Sequence, residues 1–314
     1  MLSRVADSLY WMSRYLERAE HTARMLDVCL HQLDHGRSGT SARWERLLTS
    51  LHSRAPEDRH EPYVIVEALT FDTTREESVA AAIAAARENA RQVREQISSE
   101  MWEQINRLYL HVRGANMATI WHEPHEYFQS VKEGVHLFQG ITDATMSHGE
   151  GWQFIQIGRS LERAIATARL LDVHFSHFTG DGEVSPTEDQ EWVGLLKSCT
   201  AYEAYCKVYT ATIRPDRVAE FLLLDAHFPR SIRFAAEIMH VATRAVAATT
   251  GTRQATRVDR LAGRLRAALD YGQTDEILAD MNGYLDNIRR LCLQIDQAIY
   301  QSYITYSADI VLAS

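Results

Sequence analysis

LSRVADSLYWMSRYLERAEHTARMLDVCLHQL, residues 2–33, decides the fold class. Its apolar positions Leu2, Val5, Leu9, Met12, Leu16, Ala19, Ala23, Leu26, Leu30 and Leu33 are spaced alternately three and four apart. An α-helix turns once every 3.6 residues, so one apolar stripe holds for about nine turns. A helix of that length with one apolar face must pack against others of its kind.

Two further seams repeat the pattern. One runs through Phe154, Ile157, Leu161, Ala164, Ala168, Leu171, Phe175 and Phe178. The other runs through Val79, Ile83, Ala86, Ala90, Val93, Ile97, Met101, Ile105, Leu108 and Val112, and predicts one long helix ending before Glu123-Pro124. Turn residues fall between the seams at His35–Gly39, Arg54–Asp58 and Thr179–Gly182. Further helices are predicted over 187–209, 230–249, 253–270 and 274–306, with a short helix and turn over 216–225. About nine helices result, with no linker long enough to part independent domains.

Composition agrees. The chain has 314 residues, of which 46 % are hydrophobic and 24 % charged, enough apolar material for a large core. Only 15 glycines and 6 prolines occur, which favours long helices over many short strands. The net charge of −9 argues against a nucleic-acid coat. No uncharged apolar run reaches the length of a membrane span, and the charged first residues are not those of a signal peptide. Cys29, Cys199, Cys206 and Cys292 form no CxxC, so neither a zinc ribbon nor a redox pair is expected. A cytoplasmic protein fits.

The chain also resembles itself. SRYLERAEHTARMLDV, residues 13–28, matches GRSLERAIATARLLDV, residues 158–173, at eleven of sixteen positions with a constant offset of 145. Trp44-x-x-Leu47-Leu48 echoes Trp192-x-x-Leu195-Leu196, and Asp72 with Ser78 echoes Asp225 with Ser231. The expected architecture is therefore all-α, an antiparallel multi-helix bundle of two internally duplicated halves, about 1–140 and 150–307. The whole of 1–314 forms a single domain in this reading.

Polar matches matter more than apolar ones, because packing alone explains the seam. Arg14, Glu17, Arg18, Arg24 and Asp27 lie outside the seam, and both copies keep their residue types. Arg14 with Glu17, and Arg24 with Asp27, are i,i+3 neighbours able to pair within one helix. Glu17 and Arg18 point about 100° apart and cannot satisfy each other. If the halves meet about an axis, Glu17 reaches Arg163 while Glu162 reaches Arg18. Such pairs either fix helix register or line a ligand site.

Other constellations point to anions. Arg87, Arg91 and Arg94 are spaced four and three apart, as guanidinium groups binding a phosphate or carboxylate would be. Arg230 and Ser231, after Pro229 at a helix start, suit an anion at exposed backbone N–H groups. Glu17-x-x-Glu20-His21 has no matching metal cluster in the second copy, where Ile165 and Ala166 stand. His122-Glu123-Pro124-His125-Glu126 sits at a helix break, and without a second cluster no metal is expected there. No phosphate loop and no nucleophile motif occurs.

YLERAEHTARMLDV, ARENARQVREQISSEMWEQIN, GITDATMSHGEGWQFIQIGRSLERA and FLLLDAHFPRSIRF together resemble the bacterial alpha-E family, a helical domain named for a Glu-Arg motif. That motif maps onto Glu17-Arg18 and Glu162-Arg163. The resemblance implies a circularly permuted ATP-grasp ligase as partner, and with it peptide or amide-bond modification. ATP and Mg would then arrive through the partner, with no cofactor on this chain. The leading expectation is an accessory or substrate-binding component presenting a peptide or amino acid. Arg14, Arg18, Arg163, Arg87, Arg91, Arg94, Arg230 and Ser231 are its candidate binding residues. Two alternatives stand beside it: an enzyme using Glu17 or Glu162 as acid/base, and a dimerisation scaffold.

Overall fold

A computed structural model describes residues 1, 3–34, 40–55, 61–178, 186–250 and 253–304. The turns expected at His35–Gly39, Pro56–Asp58 and Thr179–Gly182 lie outside the described residues. Among the described residues there are fifteen α-helices and no strand. The first seven are α1 (Ser3–Asp34), α2 (Thr40–Leu51), α3 (Pro62–Phe71), α4 (Val79–Gln92), α5 (Ser99–Gly114), α6 (Met117–Ile120) and α7 (Pro124–Thr145). There follow α8 (Glu150–Phe178), α9 (Pro186–Ser198), α10 (Tyr202–Tyr209), α11 (Pro215–Leu224) and α12 (Ile232–Thr250). The last are α13 (Arg253–Asp270), α14 (Thr274–Ala279) and α15 (Met281–Ile299), which runs into a π-helical turn at Tyr300–Ile304.

The long helices α1 and α8 pack on each other at the centre. Each carries its own companions: α4 and α7 lie against α1, while α12 and α15 lie against α8. The outer helices α5 and α13 close the two groups, packing on α4 with α7 and on α12 with α15. The seams drive this. From Val5 to Leu30 every seam residue of α1 is buried, as is every one of α8 from Phe154 to Phe175. Trp44 of α2 and Trp192 of α9 are fully buried at the ends of the central pair.

One glycine sets how closely the central pair approaches. A Cβ on Gly158 would lie 2.4 Å from the Tyr10 carbonyl oxygen and 2.3 Å from Ser13 Oγ. Backbone-to-backbone contact of this kind excludes any side chain. It also brings the charged residues one and two turns further along into reach of one another.

The third seam is not one helix. All ten of its residues are buried, yet the chain leaves helical geometry after Gln92 and re-enters it at Ser99, so that α4 and α5 fold back on each other. Val93 ends α4 with φ −121° and ψ 31°. Ser98 starts α5 by accepting a hydrogen bond from the Met101 N–H at 3.1 Å. Val93 and Ile97 keep the apolar spacing through the turn, which hides the break from a periodicity reading. Similarly, the span 187–209 divides at Thr200, which adopts φ 54°, and 274–306 divides at Asp280.

Ser98 reports on the break between α4 and α5. Its Oγ also accepts from Thr145 Oγ1 at 2.8 Å, tying the start of α5 to the end of α7. Ser98→Ala is expected to cost about 0.5–2 kcal/mol, the range for N-cap removal, read as a lower urea midpoint at unchanged m. An effect below a few tenths of a kcal/mol would argue for a continuous helix. Among the described residues no helix is long and apolar enough to cross a membrane.

Candidate functional site

Where α1 crosses α8, the two Glu-Arg pairs exchange partners. Arg163 donates through Nε to Glu17 Oε1 at 2.7 Å and through Nη2 to Oε2 at 2.8 Å. Reciprocally, Arg18 Nε donates to Glu162 Oε1 at 2.8 Å. This is the reach expected from the sequence. Arg14 joins Glu162 from the other side, Nε to Oε2 at 2.8 Å, and also meets Asp296 of α15 at 2.7 Å. The intrahelical pairs expected for Arg14 with Glu17 and Arg24 with Asp27 do not form. These side chains are buried between helices, so they face partners on neighbouring helices or, for Arg24, Glu20 one turn back.

A second layer lies on the Glu17 side. Arg230, buried at the end of the α11–α12 connection, donates to Glu20 and lies 3.5 Å from Glu17. Arg24 donates to Glu20 at 2.8 Å, and His136 of α7 lies 3.5 Å from it. Gln139 donates to Glu17 at 3.3 Å. Glu17 is 1 % exposed and Glu20 fully buried, so nothing but this network solvates them.

Charge decides what these carboxylates can do. Burial alone would raise the Glu17 carboxyl, but Arg163 and Arg230 overcome it and hold it below its usual value. Burial is likewise outweighed at Glu162, where Arg14 and Arg18 bring the carboxyl down to about 2. Glu20 is also held well below the usual range, chiefly by Arg230 against burial. A carboxyl so held carries no proton to donate near neutral pH and accepts one poorly. The geometry therefore gives Glu17 and Glu162 the role of acceptors that orient guanidinium groups.

On the Arg18 side the layer is open. A cavity of about 220 Å³ lies between α1, the end of α2, the approach to α4 and α8. Arg18, Glu162 and Arg169 line it with Glu76, Glu77, His21 and His52. Arg169 is half-buried, and among the described residues its guanidinium meets no acceptor. Burial and the guanidinium groups of Arg18, Arg289 and Arg14 depress its basicity, with Glu162 opposing them. His21 is buried, its Nε2 has no hydrogen-bond partner among the described residues, and its pKa falls to about 4 because of burial and Arg230. His52 sits in the left-handed region at φ 54°, a conformation that costs a non-glycine residue about 1 kcal/mol or more.

Comparison with known proteins places this arrangement. A family model described as "Alpha-E: a predicted alpha-helical domain with a conserved ER motif" matches residues 1–304. The chain belongs to the Alpha-E family. It is also similar to uncharacterized proteins of Mycobacterium bovis and Mycobacterium tuberculosis, at 24 % identity over 311 residues. The match covers 88 % of this chain and 34 % of each relative, so the chain spans about a third of the length of the curated relatives it matches. No solved structure matches.

In this Alpha-E domain the expected site residues divide into two groups. Arg14, Glu17, Arg18, Glu162, Arg163 and Arg230 come together in one network. Arg87, Arg91 and Arg94 do not form a common anion face, because α4 ends before Arg94. Arg87 donates to Asn106 at 2.8 Å and lies over the Tyr109 ring at 4.6 Å. Arg91 pairs with exposed Glu88 at the surface, and Arg94 lies 5.6 Å over the Trp102 ring. Ser231 caps α12, accepting from the Phe234 N–H at 3.0 Å, and Arg230 already holds carboxylates of this chain.

Sequence reasoning missed Arg169, Glu76, Glu77 and His52. The repeat contained a signal for the first: Arg169 matches Arg24, but Ile165 stands at the register of Glu20, the partner of Arg24. It also missed that Asp27, His31 and His125 meet. Their ligand atoms lie within 4.8 Å of one another, and the signal was the i,i+4 spacing of Asp27 and His31.

Proposed function

We propose that the chain is a substrate-binding accessory domain that holds the end of a peptide or amino acid in the cavity beside Arg18. The observation that carries this is Arg169, a half-buried cation at a cavity wall with no acceptor among the described residues. An unpaired guanidinium in a partly dry site is set up to bind a carboxylate. Glu76 and Glu77, which also line the cavity, suit an ammonium, although Glu77 lies 3.9 Å from Arg75. A cavity carrying both signs fits a zwitterion better than a phosphate. Its size, below the ~300–1,000 Å³ of drug-sized pockets, suits one or two residues.

In our reading, two halves built on one plan would account for one open side. Several interactions recur in both halves, at offsets that grow from 145 for α1 and α8 to 157 further along the chain. Thr22 donates to the Glu77 carbonyl at 2.9 Å, and Thr167 to the Arg230 carbonyl at 3.2 Å. Asp27 meets Lys132 of α7, and Asp172 meets Arg289 of α15. Ser78 and Ser231 cap α4 and α12, and His52 and Thr200 both adopt φ 54°. In this plan Arg230 occupies the position of Glu77. One copy is filled by the Arg230 side chain on Glu17 and Glu20, and the other is left for a ligand.

The partner in this reading is an ATP-grasp ligase, which would supply ATP and Mg and form the amide bond. The relatives support a domain that works beside another unit, since about two thirds of each lies outside the match. The first test is calorimetry of the purified chain with amino acids and dipeptides, against inorganic phosphate as control. Dipeptide or amino-acid binding is expected, and Arg169→Met should weaken it by at least about tenfold, or ~1.4 kcal/mol. Its Tm should move by no more than about 2 °C, because no acceptor is stranded. Binding that survives Arg169→Met unchanged, or a preference for phosphate, would defeat the reading. Co-purification with an ATP-grasp ligase tests the partner separately.

A further inference from the structure

The end of α1 and the start of α7 meet at a cluster that the network above does not use. Asp27 and His31 stand one turn apart on α1, and His125 lies in the first turn of α7, which begins at Pro124. Both imidazoles bring Nδ1 close to the same carboxylate oxygen, and His31 Nδ1 also donates to the Asp27 main-chain carbonyl at 2.9 Å. His125 Nδ1 lies 2.7 Å from Asp27 Oδ1, and His31 Nδ1 lies 3.3 Å from it. The two rings are close, with centroids 3.5 Å apart and their planes tilted by 51°. Lys132 takes the other oxygen, Oδ2, at 2.5 Å.

We propose that Asp27, His31 and His125 form a binding site for one divalent transition-metal ion of the zinc type. Two imidazole nitrogens and one carboxylate oxygen are the donor set that zinc, cobalt and nickel prefer, and a poor one for calcium or magnesium. In a tetrahedral zinc site with bonds near 2.0–2.1 Å, neighbouring ligand atoms lie about 3.3 Å apart. The His31 distance already matches this, and His125 needs only to open by about half an ångström. Each imidazole offers a lone pair at Nδ1 once its proton is carried on Nε2, which for His31 means exchanging the hydrogen bond to the Asp27 carbonyl for the metal bond. The Lys132 ammonium orients the carboxylate through the oxygen that the metal does not need, as an outer-shell partner does.

The site is reachable. Asp27 is buried, His125 half-buried and His31 exposed, so the cluster forms a graded entry. A cavity of about 570 Å³ opens beside it, lined by Trp121, His122, Glu123 and Glu126 along with His125. Three protein ligands with the fourth position facing such an opening leave room for water or a further donor. A bound ion would tie the last turns of α1 to the first turn of α7.

Cobalt(II) titration of the full chain after chelator treatment tests the proposal, with zinc as competitor. One equivalent is expected, with the visible absorption of a four- or five-coordinate ion that zinc abolishes. His31→Ala and His125→Ala should each weaken binding at least tenfold, while His148→Ala, which removes an exposed ring stacked on Trp152, should not. His31 is exposed enough that its loss leaves the fold intact. Saturating zinc should raise the Tm of the native chain but not of His31→Ala. No cobalt binding up to millimolar concentration, or binding that both histidine variants retain, would overturn the proposal. Arg169→Met should leave cobalt binding unchanged, so this site and the ligand cavity can fail independently.

Discussion

Replacing Glu17 with Gln is expected to destabilise the protein more than any other single change in the Glu-Arg motifs. Glu17 is 1 % exposed and receives two hydrogen bonds from Arg163, with Arg230 at 3.5 Å. The amide leaves two guanidinium groups facing each other with only Glu20 to offset them. Breaking a buried pair from one side costs about 3–5 kcal/mol, because the remaining charge cannot return to water. For a chain of this size the Tm should fall on the order of 10 °C. Arg163→Met in that background should recover part of the loss but not all, since Arg230 still faces position 17. A coupling of at least ~1 kcal/mol between the two positions is expected from the double-mutant cycle. Glu162→Gln should cost less, because Arg14 keeps Asp296 at 2.7 Å. Equal effects of the two glutamates, or an unchanged Tm for Glu17→Gln, would show that the buried network does not hold the central helices in register.

The order of these effects bears on what was legible in the sequence. Adjacent Glu and Arg on one helix cannot meet, and that fact with the repeat was enough to pair Glu17 with Arg163 and Glu162 with Arg18. The seams were legible for the same reason, because apolar spacing reports which face is buried. It does not report where the backbone turns. Val93 and Ile97 stay in phase through the break between α4 and α5, so only the capping pattern at Ser98 carried the signal. Intrahelical pairing was the wrong expectation for Arg14 and Asp27. A surface helix pairs along itself, but α1 is enclosed by α4, α7 and α8. Asp27 therefore meets Lys132, a residue 105 positions away. Arg169 was the hardest to see. Its importance lies in an acceptor it does not meet, and that emerges only when Ile165 is set beside Glu20.

Acid should unfold this protein in two steps of proton uptake, with buried histidines acting before the carboxylates. Burial lowers the pKa of both His21 and His174 to about 4. Both remain neutral in the folded chain where the unfolded chain, near 6.5, already binds a proton. Above about pH 6.5 neither contributes to the pH dependence. As pH falls from 6.5 toward 4, each removes stability at up to about 1.4 kcal/mol per pH unit, approaching ~3 kcal/mol apiece. The carboxylates follow. Glu162, with a folded pKa of about 2, contributes stability above its unfolded value near 4.3 and loses it as pH falls toward 2. The two histidines together remove about 6 kcal/mol, comparable to the lower part of the ~5–15 kcal/mol of a folded domain, so stability is expected to fall steeply between about pH 6.5 and 4, before Glu162 titrates. Urea midpoints at constant m between pH 4.5 and 6.5 give the slope directly. It should fall by about one proton in His21→Leu relative to the native chain, whatever that substitution does to absolute stability. A slope that His21→Leu leaves unchanged would place the proton uptake elsewhere and remove His21 as a neutral wall of the cavity beside Arg18.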